Sequence, residues 1–382
     1  MKKSILIIFT IICLVFEYGL TQSSNLYEIG TKDSLYSKTL EEQRVFWVQL
    51  PESYNQESKQ LYPVVYVLDG AVHLQAVSTV LSYNWGGFMP EMIIVGISNW
   101  ENRTRDLTTS EIQTRRGATY NQETGGAENF TLFIEKELIP HIEANYPATN
   151  YRTLIGHSYA GLFAINMLMN HSAVFDNYLA IDPSLDWDDQ KLLKQSNEIL
   201  STRDYNGFSL FMSLSGQLHM QNSEITIENV MQDSSDYTLF ARSNIEFSNY
   251  VKENDNNGLS YKWKFYERDL HGTVSLPSIL DGLIFLFNWY PIENTDKFNS
   301  PDTPKDELIQ IIRKREKKLK DHFGYFVPPF DEELLIMLGY MNLEWGETQK
   351  SLAFFQLALE YYPDSEEALQ NIEELNEKKE VE

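Results

Sequence analysis

Tyr151 to Gly161 reads Y-R-T-L-I-G-H-S-Y-A-G, and this stretch decides the fold. An apolar strand runs directly into a tight turn centred on Ser158, and apolar residues then recur at helical spacing. Strand and helix nearly touch at such a turn, so the residues two before and two after the serine must be small. Gly156 and Ala160 meet that demand, although alanine stands where G-x-S-x-G has its second glycine. The pattern predicts a nucleophile elbow that presents Ser158.

Short apolar runs alternate with longer helical patterns on both sides of this turn, within a domain that we place at residues 22–290. Such alternation predicts an α/β domain with a mostly parallel, twisted sheet flanked by helices. One predicted strand ends at Ile155, just before the elbow. The other predicted strands cover residues 44–50, 62–68, 92–97, 177–181, 209–214 and 262–267.

The chain beyond residue 290 has a different character. Residues 291–304 are rich in Pro, Asn, Asp and Ser and predict a linker, and residues 305–382 predict a small all-helical region. The last part has the spacing of one tetratricopeptide-like helix pair, at Leu338, Gly339, Gly346, Phe355, Ala358, Leu359 and Pro363. Because one such repeat cannot bury its own face, we expect a helical hairpin docked on the main domain. A surface that binds a protein partner is the alternative.

The amino terminus predicts export. Two lysines precede the apolar run 5–16, and a more polar stretch follows, which is the layout of a secretory signal peptide. The run is shorter than the ~20 residues of a membrane-spanning helix. We therefore predict a signal peptide at 1–21, a periplasmic or secreted mature chain, and no integral membrane segment after cleavage. An uncleaved anchor helix and a lipoprotein signal at Cys13 are the alternatives.

The composition excludes several classes of protein. Hydrophobic residues make up 42% and charged residues 23% of the 382 residues, which is ordinary for a globular chain. The formal net charge of -24 repels phosphate backbones, so we expect no nucleic acid partner. Cys13 is the single cysteine and lies in the predicted signal, which leaves the mature chain without a thiol nucleophile or disulfide. With no zinc-type motif such as H-E-x-x-H, we expect neither a metal nor a cofactor.

A serine hydroxyl is a weak nucleophile at neutral pH, so a base must take its proton in the transition state, and histidine suits that task. In this kind of fold the base follows the serine, which leaves His171, His219, His271 and His322. His271 comes shortly after the last predicted strand, is followed by glycine and precedes an apolar helix. We therefore predict Ser158 as the nucleophile and His271 as the general base.

The sequence leaves several candidates for the acid that would orient the histidine. We expect it in the loop after strand 209–214, which offers Glu224, Glu228, Asp233 and Asp236, with Asp182 on the preceding strand as an outlying alternative. Glu224 is preferred because it falls ten residues past the strand end, where a loop can turn back to the histidine. A serine and histidine dyad without an acid stays open.

The developing charge on the substrate requires an oxyanion hole made of two backbone N–H groups. One is expected from Tyr159, the residue after the serine. The other is expected from the turn after the buried strand that ends V-L-D-G, where Gly70 lets the chain bend and Ala71 presents its amide. Asp69 then serves as a turn residue, since it stands well before the serine.

Five motifs now allow a family comparison. They are Y-P-V-V-Y-V-L-D-G at 62–70, I-I-V-G-I-S-N-W-E-N-R-T-R-D-L-T at 93–108, G-H-S-Y-A-G at 156–161, L-A-I-D-P-S-L at 179–185 and H-G-T-V-S-L-P at 271–277. Together they resemble the esterase D-like family of α/β hydrolases, especially its branch of siderophore (enterobactin-type) esterases. The helical region at 305–382 has no counterpart in the shorter members of that branch.

The resemblance implies an α/β-hydrolase fold and hydrolysis of carboxylic esters through an acyl-serine, with Ser158 as nucleophile and His271 as base. It also implies that Arg103 and Arg105 hold an anionic, catechol-rich substrate near the site. Arginines that merely bridge two loops are the alternative for this pair.

These observations favour an exported serine ester hydrolase that acts on a small-molecule ester. An acyltransferase is one alternative, because it uses the same acyl-serine and differs only in whether water or an alcohol attacks it. A non-catalytic binding protein is the other, with the hydrolase domain as scaffold and the helical tail recruiting a partner, since a fold does not fix a function.

Overall fold

The computed structural model describes residues 29–57, 60–84, 86–219 and 221–381, and a central eight-stranded sheet organises the fold. Its strands are β1 (Thr31–Ser37), β2 (Glu42–Gln49), β3 (Tyr62–Val67), β4 (Ile93–Ile97), β7 (Ala148–His157), β8 (Asn177–Ile181), β9 (Ser209–Ser215) and β10 (Ser260–Tyr266). The order across the sheet is β1-β2-β4-β3-β7-β8-β9-β10. The β1–β2 and β2–β4 pairs are antiparallel, and the others are parallel.

The sheet is covered by helices on both faces. These helices are α1 (Gly70–Tyr83), α2 (Arg103–Leu107), α3 (Ala127–Phe133), α4 (Ile139–Asn145), α5 (Tyr159–Asn170), α6 (Trp187–Thr202), α7 (Leu239–Glu253) and α8 (Ser275–Leu286), with a π-helical turn (Ile134–Leu138) between α3 and α4. Strands buried on both faces are continuously apolar. In β3, Val64 and Tyr66 join one core cluster with α3 and α5, whereas Val65 and Val67 join the other with α1 and α8. The predicted α/β-hydrolase fold class is confirmed.

Two pieces of β structure were not predicted. One is the edge strand β1, whose exposed residues are mostly polar. The other is a small hairpin of β5 (Thr114–Arg115) and β6 (Ala118–Thr119), which forms a separate two-stranded sheet. The hairpin lies between α2 and α3 in the chain.

The carboxyl-terminal region is helical, as expected from its sequence. It contains α9 (Thr295–Phe298), α10 (Lys305–Phe323), α11 (Glu332–Glu344), α12 (Thr348–Tyr361) and α13 (Glu366–Val381). The segment 291–304 differs from a plain linker, because it contains α9 and its Phe298 is buried in the apolar cluster of the tail. Helices α11 and α12 pack closely, since a Cβ at Gly339 would lie 2.6 Å from the Phe355 ring. Whether this pair is a tetratricopeptide-like repeat stays a prediction.

The tail is joined to the hydrolase domain through the end of α10. Leu319 and Phe323 are buried in the same core cluster as β3 and α8. The ring centroids of Phe323 and Tyr151 lie 5.0 Å apart, and His322 stacks on Trp289 at 4.0 Å. The carboxyl end of α10 is therefore part of the main core.

Two features of the sequence concern membranes. The predicted signal peptide at 1–21 lies outside the described residues. Within the ranges that the structure describes, no helix has both the length and the apolar character of a membrane span.

Candidate active site

Ser158 stands at the turn between β7 and α5, at the carboxyl edge of the sheet. Its backbone has φ 62° and ψ -115°, a conformation that side chains other than glycine rarely adopt. The Ser158 N–H donates to the Ile181 carbonyl at 2.9 Å, which ties the turn to β8. A Cβ at Gly156 would lie 2.1 Å from the Ala160 carbonyl oxygen, so this position requires glycine. The elbow geometry expected from the sequence is present.

Three side chains form a hydrogen-bonded chain at this edge. The Ser158 hydroxyl lies 3.0 Å from His271 Nε2, and His271 Nδ1 lies 2.6 Å from Asp182 Oδ2. His271 is supplied by the loop between β10 and α8, where the sequence placed the base. The Phe240 ring packs edge-on against the imidazole, with centroids 5.4 Å apart. Ser158 and His271, far apart in sequence, are thus in direct contact.

The hydrogen bonds define the protonation pattern of the histidine. A carboxylate only accepts, so the proton of His271 lies on Nδ1 and points at Asp182. Nε2 then carries a lone pair and accepts the Ser158 O–H. Ser184 Oγ lies 3.3 Å from Ser158 Oγ and becomes the donor in that contact, because the serine proton is already engaged. The arrangement can deprotonate Ser158 as its oxygen forms a bond.

Asp182 is the acid partner of His271, which corrects the choice of Glu224. It directly follows β8, is fully buried, and has φ 44°, which aspartate tolerates better than most residues. Its second oxygen, Oδ1, accepts the Ser215 N–H at 2.9 Å. A buried carboxylate must be paired, and here both oxygens have partners.

Glu224 lies in the loop after β9, while the position next to His271 Nδ1 is taken by Asp182. It is exposed, its N–H donates to Asn222 Oδ1, and its carbonyl accepts from Asn229 Nδ2. Apolar side chains of this loop, including Ile225 and Val230, pack in a small cluster of their own with Leu218 and the end of β9. That packing, which no spacing rule reveals, determines the course of the loop.

His157 contacts His271 and was not selected from the sequence. Its Nε2 donates to the His271 carbonyl at 2.8 Å, and the two ring centroids are 4.6 Å apart. Burial, together with the neighbouring His271 and His73, lowers the pKa of His157 to about 3. His157 is therefore neutral at pH 7 and carries its proton on Nε2. Its place in G-H-S, directly before the serine, was the only sequence signal for this contact.

The residues expected to form the oxyanion hole occupy helix starts. Tyr159 is the first residue of α5, and Gly70 and Ala71 are the first two of α1. N–H groups in the first turn of a helix have no carbonyl one turn earlier to bond. A Cβ at Gly70 would lie 2.5 Å from the backbone of Gly96 on β4, so only glycine permits this approach. The oxyanion role of these amides stays a prediction.

Arg103 lies beside the elbow. Its guanidinium forms a two-pronged ion pair with Asp69, with Nε 2.9 Å from Oδ1 and Nη2 2.8 Å from Oδ2. Nη2 also donates to the His157 carbonyl at 3.2 Å, and the guanidinium carbon lies 5.5 Å from the Tyr159 ring centroid. Arg103 thus joins the β3–α1 turn to the elbow while keeping about a third of its side chain exposed.

Arg105 does not face the site, and the expectation that it holds substrate is corrected. Its Nη2 donates to both Glu42 and Asp106 at 2.7 Å, its Nη1 donates to Glu42, and its Nε donates to Asp106. Arg44 pairs with the same two carboxylates. The side chain bridges α2 and β2, which was the alternative interpretation.

In the part of the chain that the structure describes, no group of three or more His, Cys, Asp or Glu side chains is arranged to hold a metal ion.

A strained serine after the central strand of a largely parallel sheet, with histidine and aspartate from later loops, defines an α/β hydrolase. Comparison with known proteins agrees with this class. The model of the Esterase family, described as "Putative esterase", matches residues 37–238. The chain belongs to this family, and it is a carboxylic ester hydrolase.

The similar proteins include siderophore esterases. The chain is 29% identical over 203 residues to the ferri-bacillibactin esterase BesA of Bacillus subtilis, covering 48% of this chain and 69% of that protein. It is 30% identical over 179 residues to the siderophore enterobactin esterase of Emericella nidulans, covering 43% of this chain and 57% of that protein. The crystal structure of an IroE-like serine hydrolase from Shewanella oneidensis superposes with a TM-score of 0.69 at 29% identity, covering 87% of this chain and 99% of that one.

Proposed function

We propose that this chain is an exported serine esterase in which Ser158, His271 and Asp182 hydrolyse a siderophore-type ester. The observation that carries the proposal is the unbroken line of hydrogen bonds from Ser158 Oγ through the imidazole to Asp182. Separations of 3.0 Å and 2.6 Å are within the range for direct proton transfer and for a charge-assisted hydrogen bond.

The reaction follows from the protonation pattern. Ser158 Oγ attacks the ester carbonyl carbon while its proton passes to His271 Nε2, which forms a tetrahedral oxyanion. When the oxyanion collapses, the bond to the alcohol oxygen breaks, and His271 returns the proton to that oxygen. Water, deprotonated by the same imidazole, then attacks the acyl-serine. The bond between the acyl carbon and Ser158 Oγ breaks, His271 returns the proton to Ser158 Oγ, and the acid is released. Asp182 stabilises the imidazolium that exists between these proton transfers.

The oxyanion would be bound by the N–H of Tyr159 and by the N–H of Ala71 or Gly70. These amides lie at the starts of α5 and α1, where the helix dipole also favours a negative charge. Each preorganised donor of this kind contributes about 10²–10³ in rate in other hydrolases.

The substrate class is supported by the relatives. Ferri-bacillibactin, enterobactin and apo-salmochelin appear in the names of esterases to which this chain is similar. Arg103 is the residue of the predicted arginine pair that lies at the elbow and stays partly exposed. A substrate that contacts it would have to share the guanidinium with Asp69.

Export and a role for the tail complete the proposal. The amino-terminal pattern at 1–21 supports secretion with cleavage, after which the enzyme would meet its substrate outside the cytoplasm. The α11–α12 pair supports a tetratricopeptide-like hairpin, and an exposed Tyr340 and Trp345 on that pair would be available to a protein partner.

Replacement of Ser158 tests the proposed chemistry. With p-nitrophenyl butyrate as substrate, we expect Ser158→Ala to lower kcat by about 10⁴ or more, because the nucleophile is gone. Ser201→Ala, which alters an exposed serine near the end of α6, is the matched control and should keep wild-type activity. Turnover by Ser158→Ala at the wild-type rate would reject the mechanism.

A substrate screen tests the proposed class of ester. Purified enzyme would be offered a catecholate trilactone, a feruloyl ester and an acetyl ester, with acid release followed by chromatography. We expect the highest kcat/KM for the trilactone. Hydrolysis of the simple esters without turnover of the trilactone would reject the siderophore assignment and leave the serine mechanism intact.

A further inference from the structure

A cationic cluster contacts the side chain of Tyr159, the residue after the nucleophile, and has no part in the proton-transfer chain. The β5–β6 hairpin carries Arg115, which donates through Nη1 to the Tyr159 hydroxyl and through Nη2 to Asp186 Oδ2 at 3.1 Å. The next residue, Arg116, donates to the same Asp186 oxygen at 3.2 Å. Because Tyr159 follows Ser158 in the chain, this cluster adjoins the reacting serine.

Arg115 of this cluster packs against two aromatic rings. The Tyr159 and Trp187 rings pack edge to face with centroids 5.3 Å apart. The Arg115 guanidinium carbon lies 5.3 Å from the Tyr159 centroid and 5.1 Å from the Trp187 centroid. Tyr120 from the far side of the hairpin adds a hydroxyl 3.3 Å from that of Tyr159. The hairpin is thereby fastened to the elbow helix.

Two strained segments meet at this cluster. Arg116 has φ 50° and Gly117 has φ 76°, the values of a type I′ turn, whose first central position favours Asn, Asp or Gly over arginine. On the other side, Asp188, Asp189 and Gln190 follow Trp187 with φ 48°, 49° and 64°. Backbone strain of this kind concentrates at ligand-binding sites, where the surrounding structure maintains it.

Two arginines of the cluster share one carboxylate. Arg115 and Arg116 both pair with Asp186, and the Arg116 side chain is 52% exposed while that of Asp186 is 2% exposed. Of the other two carboxylates in this segment, Asp188 pairs with Lys191 at 3.6 Å, and Asp189 follows it. Arg103, whose guanidinium carbon also lies near the Tyr159 ring, is paired with Asp69. In a chain with a net charge of -24, an exposed guanidinium that shares its carboxylate with a second arginine is a favourable contact for an anion.

We propose that Arg116, in the turn of the β5–β6 hairpin, and the neighbouring Tyr159 form a subsite that binds a carboxylate-type anion on the ester substrate, with Asp186 holding the two guanidinium groups in place. This assignment rests on the proposed function, since it places the anion on the ester that Ser158 attacks. The planar guanidinium of Arg116 has donors to spare and suits a two-oxygen anion. The hairpin would then select substrates by charge at a point separate from Arg103.

The experiment compares two aryl esters of similar acyl length, p-nitrophenyl hemisuccinate with an anionic end and p-nitrophenyl pentanoate with a neutral end. The readout is the ratio of kcat/KM for the anionic ester to that for the neutral ester. We expect Arg116→Gln to lower this ratio about tenfold, the effect of losing one charged hydrogen bond, and Arg116→Glu to lower it further. Added salt should lower the wild-type ratio as well.

The control is Lys320→Gln, which makes the same charge change at an exposed position on α10. That helix end packs near Tyr151, and Ser158 lies seven steps further along the extended chain of β7, about 23 Å away at ~3.3 Å per residue. Its ratio should equal that of the wild type. A ratio that Arg116→Gln leaves unchanged, or that Lys320→Gln lowers equally, would overturn the subsite.

A Ser158→Ala enzyme assayed with both esters separates the two claims. Loss of both activities, together with a ratio unaffected by Arg116→Gln, would reject the subsite and retain the serine esterase. Retention of both activities by Ser158→Ala would overturn the proposed function and the subsite with it.

Discussion

Asp182 holds the charge that orients His271, and a single-atom change tests this role. We expect Asp182→Asn to lower kcat by about 10⁴, the effect of losing the equivalent aspartate in a protease, because an amide disfavours the productive imidazole tautomer. Glu224→Gln, at the exposed position first chosen from the sequence, should leave kcat at the wild-type value. A greater loss in Glu224→Gln than in Asp182→Asn would contradict the structure.

Asp182 was available to sequence reasoning, but the wrong strand was given priority. The run L-A-I-D-P-S-L has one carboxylate, at the end of a strand that is buried throughout. Burial of an aspartate requires partners, and that requirement was a stronger signal than the expected position after strand 209–214. Ser158 and His271 were predictable, because turn chemistry and position after a strand restrict those residues locally.

His157 positions the base through one hydrogen bond. We expect His157→Phe to lower kcat about tenfold with little change in KM, because it keeps a ring but loses the donor to the His271 carbonyl. His157→Gln, whose amide nitrogen can occupy the place of Nε2, should recover most of the loss. Steady-state kinetics with a short aryl ester would measure both variants. Equal activity of His157→Phe and wild type would show that the bond has no positioning role.

At the scale of elements, continuous buried strands were predicted well and short polar ones were not. Strand β8 was predicted to the residue, because five consecutive buried side chains leave a clear apolar run. Strand β1 is an edge strand with mostly exposed polar residues, so its alternation is weak. The β5–β6 hairpin has two residues per strand and an arginine in its turn, and neither feature is a usual hairpin signal.

The junction of β2 and α2 provides a pH-dependent test. Burial tends to raise the pKa of Glu42, but hydrogen bonds from Arg105 and Arg44 outweigh it and lower the pKa to about 2. The unfolded value is near 4.5, so this ion pair stabilises the fold fully above pH 4.5 and loses its effect as pH falls toward 2.

We therefore expect Glu42→Gln to lower the free energy of unfolding at pH 7 by about 1–3 kcal/mol, since it removes charged hydrogen bonds. The difference between variant and wild type should shrink as pH falls from 4.5 toward 2. Denaturant unfolding at several pH values would measure it, with the exposed Glu52→Gln as control. A difference that grows with acidification would contradict the assigned ion pair.

At the scale of the whole molecule, the parallel sheet brings the site together. The loops after β7, β8 and β10 supply Ser158, Asp182 and His271 at one edge. The sequence predicted that Ser158 and His271 follow strands of this sheet. It did not predict which residues attach the tail to the hydrolase domain. The Shewanella structure covers 87% of this chain, whereas residues 1–290 make up only about three quarters of it. Part of the helical region beyond residue 290 therefore has a counterpart in that structure.

The attachment of the tail predicts a stability effect. Leu319 is 1% exposed in the main core, so Leu319→Ala should lower the free energy of unfolding by about 2–5 kcal/mol. Leu369→Ala, at an exposed position on α13, is the control and should change it little. Thermal or denaturant unfolding of the full chain would measure both. Equal stability of the two variants would indicate that α10 is not part of the core.

Covalent labelling tests the central claim most directly. The enzyme would be treated with a fluorophosphonate, and the intact mass and modified peptide would be determined by mass spectrometry. We predict one adduct per chain on Ser158, none in Ser158→Ala, and much slower labelling in His271→Ala, because the imidazole must take the serine proton. Labelling of a different residue, or wild-type labelling of Ser158→Ala, would contradict the account.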